Sequence, residues 1–108
     1  MQSLGLITVA TAATPQRLTT SAIMCNQILV QPIRAGGASG TAPTPNTGTI
    51  YLMRGSVAKA TGLASCIAIL PVSADALLIR SLVPNGIDLS LFYLDSDTSG
   101  DGALISYA

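Results

Sequence analysis

An all-β fold, a single small β-sandwich or jelly-roll-like barrel of about seven short antiparallel strands, is what this chain of 108 residues predicts. Three observations carry that expectation. Gly, Pro and polar clusters recur at intervals too short for ordinary helices. The segments between them are rich in β-branched residues: Ile28, Val30, Ile33, Thr49, Ile50, Ile67, Ile69, Ile79 and Ile105. The length leaves room for one domain only, spanning residues 1–108.

In chain order the strands are expected at Leu6–Ala10, Gln27–Ile33, Thr49–Arg54, Ser65–Leu70, Ala76–Leu82, Leu89–Leu94 and Ala103–Tyr107. Thr14-Pro15 closes the first. Ala35–Gly48 (AGGASGTAPTPNTG) has only small and turn-forming residues and reads as a long flexible surface loop at 35–48. Gly55–Gly62 and Pro71–Asp75 separate the next strands. In Pro84-Asn85-Gly86 the proline presets its own φ, and Asn and Gly accept the positive φ of a tight turn. Asp95–Gly102, rich in Asp, Ser, Thr and Gly, is expected to join the last two strands as a hairpin.

The strand faces are unusual. A half-exposed strand alternates apolar and polar residues. Here Ile28-Leu29-Val30, Ile50-Tyr51-Leu52-Met53, Ala76-Leu77-Leu78-Ile79 and Leu91-Phe92-Tyr93-Leu94 are apolar on both faces. One face fills an interior. The other needs a cover, most simply a neighbouring subunit. Either Ile50 with Leu52 or Tyr51 with Met53 must face inward.

Charge points the same way. The chain has five Lys/Arg and five Asp, with no Glu and no His, and is 9% charged against about a quarter for an ordinary domain. It is also 49% hydrophobic. A surface so poor in charge expects to be covered by protein. Arg17, Arg34, Arg54, Lys59 and Arg80 are scattered singly, which disfavours nucleic acid. No apolar run reaches the ~20 residues that span a bilayer, so no membrane partner is expected. Met1–Ile7 lacks a basic region typical of an export signal.

Little chemistry is on offer. General acid–base catalysis uses His or a perturbed carboxylate, and no nucleophile elbow, phosphate loop or dinucleotide fingerprint is present. No catalytic residue, cofactor site or metal site is assigned, and no enzymatic activity is expected. Asp95-Ser96-Asp97-Thr98-Ser99-Gly100-Asp101-Gly102 begins like a calcium loop, but the closing bidentate Glu is replaced by Ser106. Cys25 and Cys66, each beside an apolar residue, are read as free core thiols. Arg80 interrupts an apolar strand and suits either solvent or a subunit interface.

The motif order resembles the small all-β virion structural proteins of tailed bacteriophages, of the capsid decoration, cement or head-fibre type. The chain reads TVATAATPQRL, CNQILVQPI, PNTGTIYLMRGS, LPVSADALLIRSL and IDLSLFYLDSDTSGDGALISY. The likeness falls on Ala12 to Leu18, Ile28 to Gln31, Asn46 to Gly55, Ala76 to Ile79 and Leu91 to Tyr107. Those proteins carry a short turn before Asn-Thr-Gly, where this chain has the long 35–48 loop. The resemblance implies a subunit of the virion, assembled in the host cytoplasm, that binds the major capsid protein or other virion proteins. The apolar strand faces and the low charge predict a homo-oligomer, and a trimer or dimer fits a capsid lattice with two- and three-fold axes; neither nucleic acid nor membrane is expected as a partner. A tail, baseplate or head–tail connector role is the alternative. A receptor- or carbohydrate-binding module is a third reading, weakened by the absence of Trp and by having only Tyr51, Phe92, Tyr93 and Tyr107 as aromatics.

Overall fold

Alternation along each strand decides the layers. The computed structural model describes residues 1–35, 44–56, 65–72 and 74–108, and all of its named strand pairs are antiparallel. One four-stranded sheet runs, in spatial order, β1 (Gln2–Thr8), β10 (Gly102–Tyr107), β4 (Gln27–Pro32) and β7 (Leu77–Arg80). The second runs β2 (Gln16–Arg17), β9 (Phe92–Ser96), β5 (Ile50–Arg54) and β6 (Cys66–Leu70). A two-stranded ribbon pairs β3 (Met24–Cys25) with β8 (Ile87–Asp88). The protein is a small all-β sandwich.

Ile28, Val30, Ala103 and Ile105 of the first sheet meet Ile50, Leu52 and Leu94 of the second in one fully buried cluster, with Val9, Leu18 and Leu89 filling its margins. Each buried Ile, Leu or Val contributes about 1.5–3 kcal/mol. The inward face of β5 is therefore Ile50 with Leu52, and Tyr51 points outward. Met53 is also fully buried but stands outside that cluster, on the opposite side of β5.

Four strand expectations are corrected. The first strand is Gln2–Thr8 and not Leu6–Ala10. The ladder breaks at Val9: its amide still donates to the in-register Asp101 carbonyl (2.9 Å), but its own carbonyl accepts from the Gly100 amide (2.8 Å), one residue out of step. Leu89–Leu91 is a single 3-10 turn, and the strand starts at Phe92. Asp88 causes this: its carboxylate accepts from the Ser90 amide (3.0 Å) and hydroxyl (2.7 Å), a local alternative to a ladder. The strand expected at Ala76–Leu82 is Leu77–Arg80. Its register continues from Val30↔Leu77 toward Pro32, which has no N–H to give, so pairing stops there. Finally, Asp95–Gly102 is not a hairpin: β9 and β10 lie in different sheets, and the segment crosses between them.

The three two-residue strands β2, β3 and β8 escaped sequence reading, being shorter than any alternation can mark. The Pro84-Asn85-Gly86 turn forms as expected. Asn85 has φ 52, and the Gly86 amide donates to the Val83 carbonyl (3.2 Å), which suits a type II turn. Of the expected loop at 35–48, residues 36–43 lie outside the described residues, as do 57–62 of the Gly55–Gly62 separator. The flanks of 35–43 are joined, since Arg34 and Thr44 exchange backbone hydrogen bonds of 2.9 and 3.0 Å.

Two strands are bulged. On β1 the partners step from Ser3 to Gly5 while β10 moves one residue, leaving Leu4 extra. On β6 the partners step from Ala68 to Cys66, leaving Ile67 extra.

Candidate functional site

The densest polar constellation sits where the chain crosses from β9 to β10. Asp101 is fully buried, and its carboxylate accepts from the Thr47 amide (3.0 Å), the Thr47 hydroxyl (3.3 Å) and the Gly48 amide (2.7 Å). Arg34 Nη1 completes the set at 3.3 Å. One residue on, Asn46 clasps Gly102: its Nδ2 donates to the Gly102 carbonyl (2.9 Å) and its Oδ1 accepts from the Gly102 amide (3.1 Å). Asn-Thr-Gly and Gly-Asp-Gly thus form one latch between segments more than fifty residues apart. Gly102 is required in it, because a Cβ there would strike the backbone carbonyl of Ile7.

The latch gives a buried carboxylate a full set of donors, so its chemistry is structural. The three carboxylates of the Asp95–Asp101 segment turn to different partners. Asp95, fully buried, accepts from the Ser96 amide (2.8 Å), and Asp97 accepts from the Tyr51 hydroxyl (3.1 Å). Asp101 faces Arg34. The segment thus brings no calcium-like convergence, and among the described residues no group of three His, Cys, Asp or Glu could hold a metal ion.

Cys25 is buried, Cys66 is half-buried on β6, and both are free. Burial pushes both thiols up from their ordinary range. Partial burial, with Asp97 at the hydroxyl, likewise pushes the Tyr51 phenol up. Arg17 lies over the Tyr93 ring at 5.3 Å and donates from Nε to its hydroxyl (2.9 Å). Surface hollows are open. One, of about 530 Å³, is lined by Met1, Gln2, Ile23, Met24, Cys25, Tyr107 and Ala108.

The outward faces hold the remaining candidates. On the first sheet Leu6 stands opposite Leu104, and Leu29 opposite Leu78. Leu6 and Leu78 are 37% and 40% exposed, and Leu29 and Leu104 are half-buried. On the second sheet Ile67 and Ile69 of β6 are 44% and 57% exposed. The link Pro71–Ala76 carries exposed Val72, and Leu82 and Val83 follow β7, Leu82 with its side chain wholly in solvent. Segment 67–83 therefore concentrates apolar surface on two successive strands that each end a sheet. Sequence reading found the doubly apolar strands but not this clustering, because sheet order is set by pairing across the chain. Among the described residues no helix is long and apolar enough to cross a membrane.

No protein-family model, no curated protein and no solved structure matches the chain.

Proposed function

We propose that this protein is a non-enzymatic structural subunit of a bacteriophage virion, most simply a capsid decoration or cement protein that binds and stabilises the head shell. The observation that supports the reading is the exposed apolar surface on both sheets, above all along β6, β7 and their flanks, in a chain that is only 9% charged. At about 25 cal/mol per Å² such surface is a source of binding energy. Repeated over many copies it holds a shell through contacts that are individually weak. The polar groups favour the same reading: the buried carboxylates serve the fold, and the outward tyrosines Tyr51 and Tyr93 have their hydroxyls engaged by Asp97 and Arg17. A tail, baseplate or connector role uses the same surface.

The test is co-sedimentation of the purified chain with empty capsids of the phage whose genome encodes it, and separately with its tails. Saturable binding to capsids supports the decoration reading. Binding to tails alone moves the subunit along the virion, and binding to neither overturns the proposal.

A further inference from the structure

Of the asparagines Asn26, Asn46 and Asn85, only Asn85 precedes a glycine. That pairing matters chemically. A backbone nitrogen can attack the side-chain carbonyl carbon of the asparagine before it, and any side chain on the attacking residue obstructs the approach. Glycine has none. The fold then decides which site is open to the reaction.

Asn46 is closed: it is buried, and Gly102 holds both ends of its amide. Asn26 has its Oδ1 occupied by the Asn85 amide (2.7 Å). The nitrogen that would attack it, that of Gln27, donates to the Ala108 carbonyl (3.1 Å). Asp101 also precedes a glycine, but the latch holds its carboxylate, and the Gly102 amide donates to Asn46 Oδ1 (3.1 Å).

Asn85 differs on each count. Residues 82–86 loop out between two ladders: the Ser81 amide donates to the Asn26 carbonyl (2.7 Å), and pairing resumes at Cys25↔Ile87. Asn85 and Gly86 are both exposed, and among the described residues the Asn85 side chain has no hydrogen-bond partner. The Gly86 amide donates to the Val83 carbonyl at 3.2 Å, the long limit of such a bond. Opening this excursion leaves both flanking ladders intact, which places it at the cheap end of local unfolding. Packing also demands the glycine, since a Cβ on Gly86 would strike the Ser81 hydroxyl. The turn therefore cannot shield its asparagine with a bulkier neighbour.

We propose that Asn85–Gly86 is a site of spontaneous deamidation through a succinimide, which turns a neutral loop into an anionic one. The Gly86 amide gives its proton to solvent base, and its nitrogen bonds to Cγ of Asn85. The side-chain nitrogen takes a proton from solvent and leaves as ammonia, closing the five-membered imide. Water then opens the imide. Attack at Cγ gives aspartate, and attack at the backbone carbonyl gives isoaspartate, with the main chain rerouted through the side-chain carbon. Formal net charge falls from zero to minus one. The new carboxylate arises beside the exposed Leu82 and Val83, where it opposes burial against an apolar partner. The modification itself does not depend on the assembly reading.

Incubation of the folded full chain in mildly alkaline buffer, followed by tryptic mapping, tests the proposal. No Lys or Arg follows Arg80, so one peptide spans 81–108, and Asn85 is its only Asn or Gln. That peptide is expected to gain one dalton at least about tenfold faster than those holding Asn26 and Asn46, whose sites must first break ladder or latch bonds. It should also become a substrate for isoaspartyl methyltransferase, which aspartate formed by direct hydrolysis would not. Asn85→Gly, which accepts φ 52 and has no side-chain amide, should keep the fold and lose both signals. Conversion confined to denaturant, or no faster than at Asn26 and Asn46, would overturn the proposal. So would methyltransferase labelling that survives in Asn85→Gly, because it would place the reaction at Asp101–Gly102.

Discussion

The β9–β10 crossing and the β6–β7 side treat polarity in opposite ways. At the crossing a carboxylate is buried and met by two amides, a hydroxyl and a guanidinium. At the β6–β7 side aliphatic residues stand in water. A lone soluble domain does the reverse, keeping charge outside and hydrocarbon in. The difference separates two tasks. The crossing holds the two sheets in one arrangement, since a half-satisfied buried carboxylate would be costly. On the β6–β7 side Leu70, Leu77 and Ile79 pack inward, while the outward Ile67, Ile69 and Leu78 stand outside the buried cluster, and it is these that the proposed function assigns to association.

That contrast can be broken by mutation, beginning where the largest effect is expected. Asp101→Ala should cost about 3–5 kcal/mol in denaturant unfolding, because it strands Arg34 and the donors of Thr47 and Gly48. Leu52→Ala, in the fully buried cluster, should cost about 2–5 kcal/mol by the same measurement. Asn46→Ala should cost about 2 kcal/mol, leaving the buried Gly102 amide without its clasp. Ile69→Ser on the outward face of β6 should change unfolding of the monomer by no more than about 0.5 kcal/mol. If Ile69→Ser proved as damaging as Asp101→Ala, the division of labour would be wrong.

A smaller effect concerns alkaline pH. Tyr51, Cys25 and Cys66 have pKa values raised by burial, so the folded state holds their protons more tightly than the unfolded state. Their contribution is intact below the unfolded values and is lost as pH rises through them. Unfolding free energy should therefore decline above about pH 9, and Tyr51→Phe should flatten the phenolic part of that decline. Finally Ala13, at φ 65, carries a Cβ in left-handed backbone. Ala13→Gly should raise the melting temperature slightly.

How much of this was legible depends on the range over which the signal acts. The strands at Gln27, Thr49, Ser65 and Ala103 emerged within one residue or so, because β-branched runs bounded by turn residues are local features. The Asn85 turn was legible for the same reason. The crossing was not. Asn46-Thr47-Gly48 and Gly100-Asp101-Gly102 each look like ordinary turn chemistry, and their mutual latch exists only after distant segments meet. Asp88 displaced the start of β9 through a side-chain bond that hydrophobic pattern does not register. The doubly apolar strands were visible as a pattern, but the sequence left open which face was inner, and only the packing of Ile50, Leu52 and Leu94 against Ile28, Val30 and Ile105 of the other sheet decides it.

One topological feature has a bearing on biosynthesis. β10, late in the chain, is hydrogen-bonded between β1 and β4, which are made much earlier. Until Gly102–Tyr107 has emerged from the ribosome, β1 has no partner and β4 has one side bare. The first sheet therefore cannot close during elongation, however slowly the chain is translated. Its assembly waits for β10 to emerge, and a nascent chain arrested before it should remain open to proteases and chaperones.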